Sequence, residues 1–354
     1  MKDNILHISR TMGQGGAEQI VFQLATSLRK EFDNVVIASI GGQKVEQLSQ
    51  YAITHVEIDD IERKQITSLL RNLKILVTTI RRYGITHIHA HHRMGLLYSQ
   101  ILRSIFPKIR FIYTAHNIFT TNNKLYKQLI QNMEIVAVGE GVKRHLIRDV
   151  GVQSERIQII YNGVQKVENI SDTVEEFSLY SGKKVLCVAR LNKQKGIEYL
   201  ISALKKVKQD DYKVFFVGEG ELLAELQEQV VSNKLSNKVA FLGYQSNVQD
   251  YIRQCDFMVL PSLWEGFPLT PIECFMNQKT IIATDIAGTN EIVNGFNGLL
   301  VETKNVLSLA DAIEFFLHNP EVVAKKSEKA YQTYKEKFSY DIFLQSYKKL
   351  YFKE

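Results

Sequence analysis

Short apolar runs alternate along the chain with amphipathic stretches and glycine turns. Residues 4–9 form a strand-length apolar run. A glycine turn follows, and then Ile20, Val21, Leu24 and Leu28 recur on one helical face. Residues 35–39, 86–90, 111–114, 135–138 and 157–161 read as further strands, and residues 66–83 as a helix ended by Gly84. Asn162-Gly163 is a turn signal, after which the pattern restarts. Strands at 184–189, 213–217, 239–242, 257–260, 280–283 and 298–301 are separated by helical stretches, and helices run from about residue 307 to the end. Strand alternating with helix predicts α/β architecture with parallel sheets.

The chain has 354 residues, more than one core usually serves, so two such domains are expected. The boundary falls between residues 162 and 181, where Glu168, Asp172, Glu175 and Glu176 interrupt the apolar rhythm, and divides the chain into 1–165 and 166–339.

Charge sharpens this division. Residues 1–165 carry 21 Lys and Arg against 13 Asp and Glu, whereas residues 166–354 carry 23 against 25, giving +8 and −2. The first half therefore suits an anionic partner, and nucleic acid, an anionic membrane and a phosphorylated acceptor all qualify. No nucleic-acid motif or stacking-aromatic platform is evident, which disfavours the first. Cys187, Cys255 and Cys274 are odd in number and far apart, so a reducing compartment is expected. The start, MKDNILHISR, has no signal-peptide run, and no stretch approaches the roughly 20 apolar residues that span a bilayer. A cytoplasmic location is expected, with peripheral attachment at the inner face of the cell membrane as an option.

Four segments carry candidate chemistry. Gly13-Gln14-Gly15-Gly16-Ala17-Glu18 lies between a strand and a helix, where glycines admit a ligand and free N–H groups meet an anion. Glu18 stands where a dinucleotide fingerprint needs glycine or alanine. Arg190-Leu191-Asn192-Lys193-Gln194-Lys195-Gly196 follows a strand's carboxyl end, where two cations can clamp a pyrophosphate. The plainer alternative is a solvated basic loop. Gly218-Glu219-Gly220-Glu221 offers a turn against which a nucleotide could pack. In the segment from Pro261 to Glu273, Thr270 reads as a helix N-cap, Pro271 as the first helical position and Thr270-x-x-Glu273 as a capping box. Glu265, in a loop beside Gly266, has no such structural explanation.

Glu265 and Glu273 have seven residues between them, and the run EGFPLTPIE resembles the glutamate-spaced signature of family 4 glycosyltransferases. GGAE at 15–18, YNGV at 161–164, ARLNKQKG at 189–196 and VGEGEL at 217–222 resemble the same family in its order. The resemblance implies the GT-B architecture, two Rossmann-like domains facing across a cleft, and transfer from an NDP-sugar, with a UDP-sugar expected, and with retention at the anomeric carbon. It implies that Arg190 and Lys195 hold the diphosphate and Glu273 the ribose. Glu265 would take sugar hydroxyls, with Gly266 and the N–H groups of Phe267 and Leu269 nearby. Gly218 and Gly220 would lie against the nucleotide, and Gly15 and Gly16 would close on the phosphate. His116 would reach the transferred sugar, so that Glu265, His116, Arg190 and Lys195 form the catalytic set. The family often has aspartate after that histidine, where this chain has Asn117. The resemblance, with apolar Ile342, Phe343, Tyr347, Leu350 and Tyr351, also implies that helix 340–354 packs back on the first domain.

No Asp-x-Asp occurs, so no metal or other cofactor is expected. His87, His89 and His91 alternate onto one strand face beside His92, and read as polar lining or acceptor contact rather than a metal site. Residues 61–83 place Arg63, Lys64, Arg71, Lys74, Arg81 and Arg82 among apolar positions, as in helices that lie on anionic membranes. A solvated outer helix face would look the same. The expected partners are an NDP-sugar, a glycan or lipid-linked acceptor in bacterial surface polysaccharide assembly, and an anionic membrane surface. A non-catalytic nucleotide-sugar-binding protein and a nucleic-acid-binding protein are the alternatives.

Overall fold

A computed structural model describes residues 3–63, 65–119, 123–166 and 174–352. The chain forms two compact units: Met1–Asn162 with Phe343–Glu354, and Gly163–Ile342. The sequence reading divides the chain three residues later, and Glu168 and Asp172 of its boundary lie outside the described residues.

The first unit is a sheet of β1 (Asn4–Ile8), β2 (Asn34–Ser39), β3 (Thr54–Glu57), β4 (His87–Ala90), β5 (Arg110–Ala115), β6 (Glu134–Ala137) and β7 (Ile157–Ile159). Its order is β3-β2-β1-β4-β5-β6-β7, with parallel pairing throughout. Inner strands are covered on both faces and so read as continuous apolar runs. The edge strand β3, whose residues are half-buried or exposed, has no such run, and the sequence reading passes over it.

The second unit is a parallel sheet of β8 (Lys183–Val188), β9 (Tyr212–Val217), β10 (Val239–Phe241), β11 (Phe257–Leu260), β12 (Ile281–Thr284) and β13 (Gly298–Val301). Its order is β10-β9-β8-β11-β12-β13. Leu200, Ile201, Phe216, Phe257, Ile282, Ile313 and Phe316 belong to its core. In each sheet the strand order reverses beside the first strand, between β1 and β4 and between β8 and β11. Ligands in open α/β sheets sit outside the carboxyl ends at such a reversal.

Two helices depart from or refine the expectation. The basic helix spans Ile66–Tyr83, ended by Gly84 at φ +57°, so Ile61 and Arg63 precede it and Lys64 lies outside the described residues. The terminal helix Tyr340–Phe352 joins the first unit from Phe343 onward and buries Phe343, Tyr347, Leu350 and Tyr351. Its tyrosines meet the sheet through hydrogen bonds: Tyr347 with Thr114 at 3.1 Å and Tyr351 with His89 at 2.6 Å. Arg110 donates to the Leu350 carbonyl at 2.8 Å and to that of Tyr351, and it also meets Glu134 at 2.7 Å and His87 Nε2 at 3.1 Å.

Candidate active site

In the second unit, the loops that follow β8 and β11 flank the reversal and are joined. Leu263 N–H donates to the Gln194 carbonyl at 2.7 Å. The Gln194 amide donates to the Trp264 carbonyl at 3.0 Å and to Glu265 Oε2 at 3.2 Å. Gly196, at φ +59°, lets the backbones approach: a Cβ there would lie 2.4 Å from the Pro261 carbonyl oxygen.

Glu265 is the centre of this junction. Its Oε1 lies 2.5 Å from Lys195 Nζ and 2.6 Å from Ser262 Oγ. The Glu265 side chain is 6% exposed and that of Lys195 16%. A carboxylate can be buried this far because charge and hydrogen bonds compensate its lost hydration. Ser262 is itself held, since Thr284 Oγ1 donates to its carbonyl. Arg190 differs: it is 72% exposed, and among the described residues its ion pair is a long one, 3.9 Å to Glu221. The loop thus offers an exposed cation at its start and a buried, paired one at its end.

The Gly218-Glu219-Gly220 turn buttresses this loop. A Cβ at Gly218, where φ is +135°, would lie 2.1 Å from the Ala189 carbonyl oxygen, and one at Gly220 2.2 Å from that of Leu191. Leu191 N–H donates to the Glu219 carbonyl, and Leu222 N–H to that of Leu191. Close packing of two backbones therefore accounts for both glycines without a ligand.

The expected capping box is not formed. The helix spans Leu269–Met276 with Pro268 at the N-cap and no side-chain cap, so Pro271 is its third residue and Glu273 its fifth. Thr270 donates instead to the Val188 carbonyl at 3.4 Å, which ties the helix to β8. Glu273 is half-buried, Gly266 and Phe267 are buried and Leu269 is half-buried. A cavity of about 730 Å³ lies elsewhere, at the amino ends of β8 and β11, lined by Lys183, Asp256 and Lys279 among others. It is remote in the sheet from the loops just described.

In the first unit, Gly15 and Gly16 are exposed at the start of helix Gly16–Ser27. Glu18 Oε1 accepts from Thr11 Oγ1 at 2.9 Å, and its carboxylate lies over Gly15, where a Cβ would stand 2.2 Å from Oε2. An anion at this helix start would share it with that carboxylate.

His87, His89 and His91 do not line a surface, whereas His92 is half-buried beside Glu62. His87, His89 and His91 are 3%, 0% and 4% exposed. The terminal helix covers this face, and internal hydrogen bonds take the place of acceptor contacts. His89 Nε2 meets Thr114 at 2.8 Å, its other nitrogen being bonded to Tyr351. His91 Nε2 meets His7 Nδ1 at 3.0 Å, and His91 Nδ1 meets His116 Nε2 at 3.2 Å. His7, paired in register with His89 across β1 and β4, escapes the sequence reading. Burial lowers the pKa values of His7, His89, His91 and His116, that of His7 to about 3 and that of His116 to about 4, so the cluster is neutral at pH 7. His7, His89 and His91 bring ring nitrogens within 4.8 Å of one another, a spacing compatible with metal ligands. Both nitrogens of His89 and of His91 already have protein partners.

Family models settle the class. The Glycosyltransferase Family 4 model matches residues 14–166, and the Glycosyl transferases group 1 model matches residues 174–333. The chain is a family 4, group 1 glycosyltransferase. A glycosyltransferase of Methanocaldococcus jannaschii, MJ1178, is 29% identical over 299 residues, 81% of this enzyme and 80% of the relative. The N-acetylgalactosamine-N,N'-diacetylbacillosaminyl-diphospho-undecaprenol 4-alpha-N-acetylgalactosaminyltransferase of Campylobacter jejuni is 26% identical, covering 91% of each chain. Among solved structures, Anabaena Alr3699/HepE in complex with UDP-glucose superposes with a TM-score of 0.86 at 22% identity, over 98% of this enzyme and 99% of that chain. The glycosyltransferase thus has the GT-B fold. Gln194 and Ser262, which hold Glu265, fall inside the two motifs quoted from the sequence. Neither type nor spacing singles them out.

Proposed function

We propose that the enzyme transfers a sugar from a UDP-sugar to a lipid-linked or glycan acceptor in bacterial surface polysaccharide assembly, with retention at the anomeric carbon and without a metal. The junction of Lys195 with Glu265 beside exposed Arg190, at the carboxyl ends of β8 and β11, carries the reading. In it, Arg190 and Lys195 bind the diphosphate and stabilise the charge that grows on the leaving phosphate. Glu273 binds the ribose, Glu265 and His116 meet the sugar, and the Gly15-Gly16 helix start meets phosphate. Two names among its relatives support the substrates: HepE is solved with UDP-glucose, and the Campylobacter enzyme's name includes a diphospho-undecaprenol acceptor.

Retention comes from the family resemblance; within it, the state of Glu265, whose carboxylate is engaged by Lys195, Ser262 and Gln194 and is poorly disposed to attack, argues against a covalent glycosyl-enzyme. The acceptor hydroxyl oxygen would then bond to the anomeric carbon on the face from which the phosphate departs. As the carbon–phosphate-oxygen bond breaks, the hydroxyl proton passes to the departing phosphate. The enzyme contributes position and charge.

The basic helix supports the membrane part. Ile66 and Leu70 are 71% and 61% exposed beside exposed Arg71, Lys74, Arg81 and Arg82. Among the described residues no helix is long and apolar enough to cross a membrane. In this reading the enzyme is cytoplasmic and rests on the inner leaflet. A screen of UDP-, GDP- and ADP-sugars, with EDTA and with NMR of the product anomer, tests the proposal. UDP-sugar turnover that survives EDTA and keeps the donor's anomeric configuration is expected. Inversion, or activity lost to EDTA and restored by Mn²⁺, contradicts it.

A further inference from the structure

His7, His91 and His116 form one chain of ring-to-ring hydrogen bonds: His7 Nδ1 to His91 Nε2 at 3.0 Å, then His91 Nδ1 to His116 Nε2 at 3.2 Å. Their rings are packed together, His7 with His91 at 5.2 Å between centroids and His91 with His116 at 5.5 Å. A neutral imidazole has one N–H and one acceptor nitrogen, so each link fixes the next ring's tautomer. The chain therefore has two self-consistent polarities. Pointing outward, His7 Nδ1–H donates to His91, and His91 Nδ1–H donates to His116 Nε2. Pointing inward, every proton is on the other nitrogen.

The two ends decide between them. His7 is 1% exposed, and among the described residues its Nε2 has no hydrogen-bond acceptor, while His116 is half-buried. The inward polarity would leave an N–H unpaired at the buried end. The outward polarity leaves a lone pair there and brings the terminal N–H to the accessible end. Buried N–H groups without acceptors are rarer than buried acceptors short of donors. We infer that His91, backed by His7, is a positioning residue that holds His116 as its Nδ1–H tautomer, so that His116 offers substrate a proton donor.

The role at substrate rests on the reading of His116 as the residue that meets the transferred sugar. In that reading an Nδ1–H donates to a sugar hydroxyl oxygen, and a His116 released from His91 would revert to the Nε2–H form that free histidine favours. His89 is outside the chain: its nitrogens are taken by Tyr351 and Thr114, and it touches His91 by ring packing at 3.9 Å.

Ring-nitrogen NMR of the full-length enzyme, ¹⁵N-labelled at histidine and measured at pH 7.5, reads the tautomer without any ligand, with His116→Asn assigning the signal. Wild type is expected to show His116 protonated at Nδ1, and His91→Phe to return it to Nε2–H. A wild-type His116 protonated at Nε2, or doubly protonated, overturns the inference with no variant needed. The ratio of UDP to UDP-sugar dissociation constants then tests the consequence. His91→Phe should cut the sugar's contribution about tenfold with UDP affinity unchanged, His116→Ala should do the same, and the double variant should lose no more than either. Additive losses overturn the positioning role. If His116→Ala leaves the ratio unchanged, the reading of His116 at the sugar fails and takes the positioning role with it, whereas the NMR result stands apart.

Discussion

Lys195 Nζ lies 2.5 Å from Glu265 Oε1, and this contact ties the loop after β8 to the loop after β11. It joins two residues that the sequence assigns separate tasks on the donor. The cation that would face a diphosphate is already held by a buried carboxylate, and that carboxylate is held in turn by Ser262 and Gln194. Position is therefore built in before any ligand arrives.

Removing one partner leaves the other charge buried. Lys195→Ala is expected to destabilise the enzyme by roughly 3–5 kcal/mol, the usual cost of breaking a buried pair. Chemical denaturation measures this, and a stability equal to wild type would show the contact to be incidental.

Gly220→Ala tests the buttress. A Cβ there would lie 2.2 Å from the Leu191 carbonyl oxygen, backbone that has no rotamer to escape into. Overpacking of about 1–3 kcal/mol is expected, together with weaker donor binding as the Arg190 loop shifts. Unchanged stability and affinity would show that the turn is not seated against that loop.

The architecture was legible because buried parallel strands are written as apolar runs and helices as periodic faces. β3 was not, because an exposed edge needs no apolar run. Arg190, Lys195 and Glu265 stood out by motif, but their pairing did not, since nothing in the spacing says which carboxylate meets which cation across 70 residues. Thr270 shows the converse: its spacing to Glu273 satisfied a local rule, and a tertiary contact to Val188 prevailed. The histidines were visible as an alternating strand, yet their burial depends on a helix from the far end of the chain.

Acid should unfold the enzyme early. His7, with its pKa lowered to about 3, stays neutral in the folded state while its unfolded counterpart takes up a proton below about pH 6.5. The unfolded state then binds more protons, so stability falls as pH drops from 7 toward 5, by on the order of a few kcal/mol with the neighbouring histidines. Urea denaturation at pH 7 and pH 5 measures the slope, and a flat profile would mean that the cluster is protonated or solvated in the native state.

Charge reversal at Arg71 and Lys74 should weaken binding to anionic liposomes at low salt, since each basic residue near such a surface contributes about 1 kcal/mol. Salt should weaken the wild type similarly, with screening within about 8 Å at physiological strength. Sedimentation that ignores lipid charge would refute membrane docking by helix Ile66–Tyr83 and leave the family assignment intact.

Arg190 offers the most direct test of the donor site. It is 72% exposed, with one long ion pair among the described residues, so its loss should leave the fold's stability unchanged. Titration calorimetry of UDP-sugar into wild type and Arg190→Ala should show affinity lower by about 1.5–3 kcal/mol, roughly ten- to a hundredfold, at an unchanged melting temperature. Equal affinity in the two proteins would contradict a diphosphate clamp on this loop.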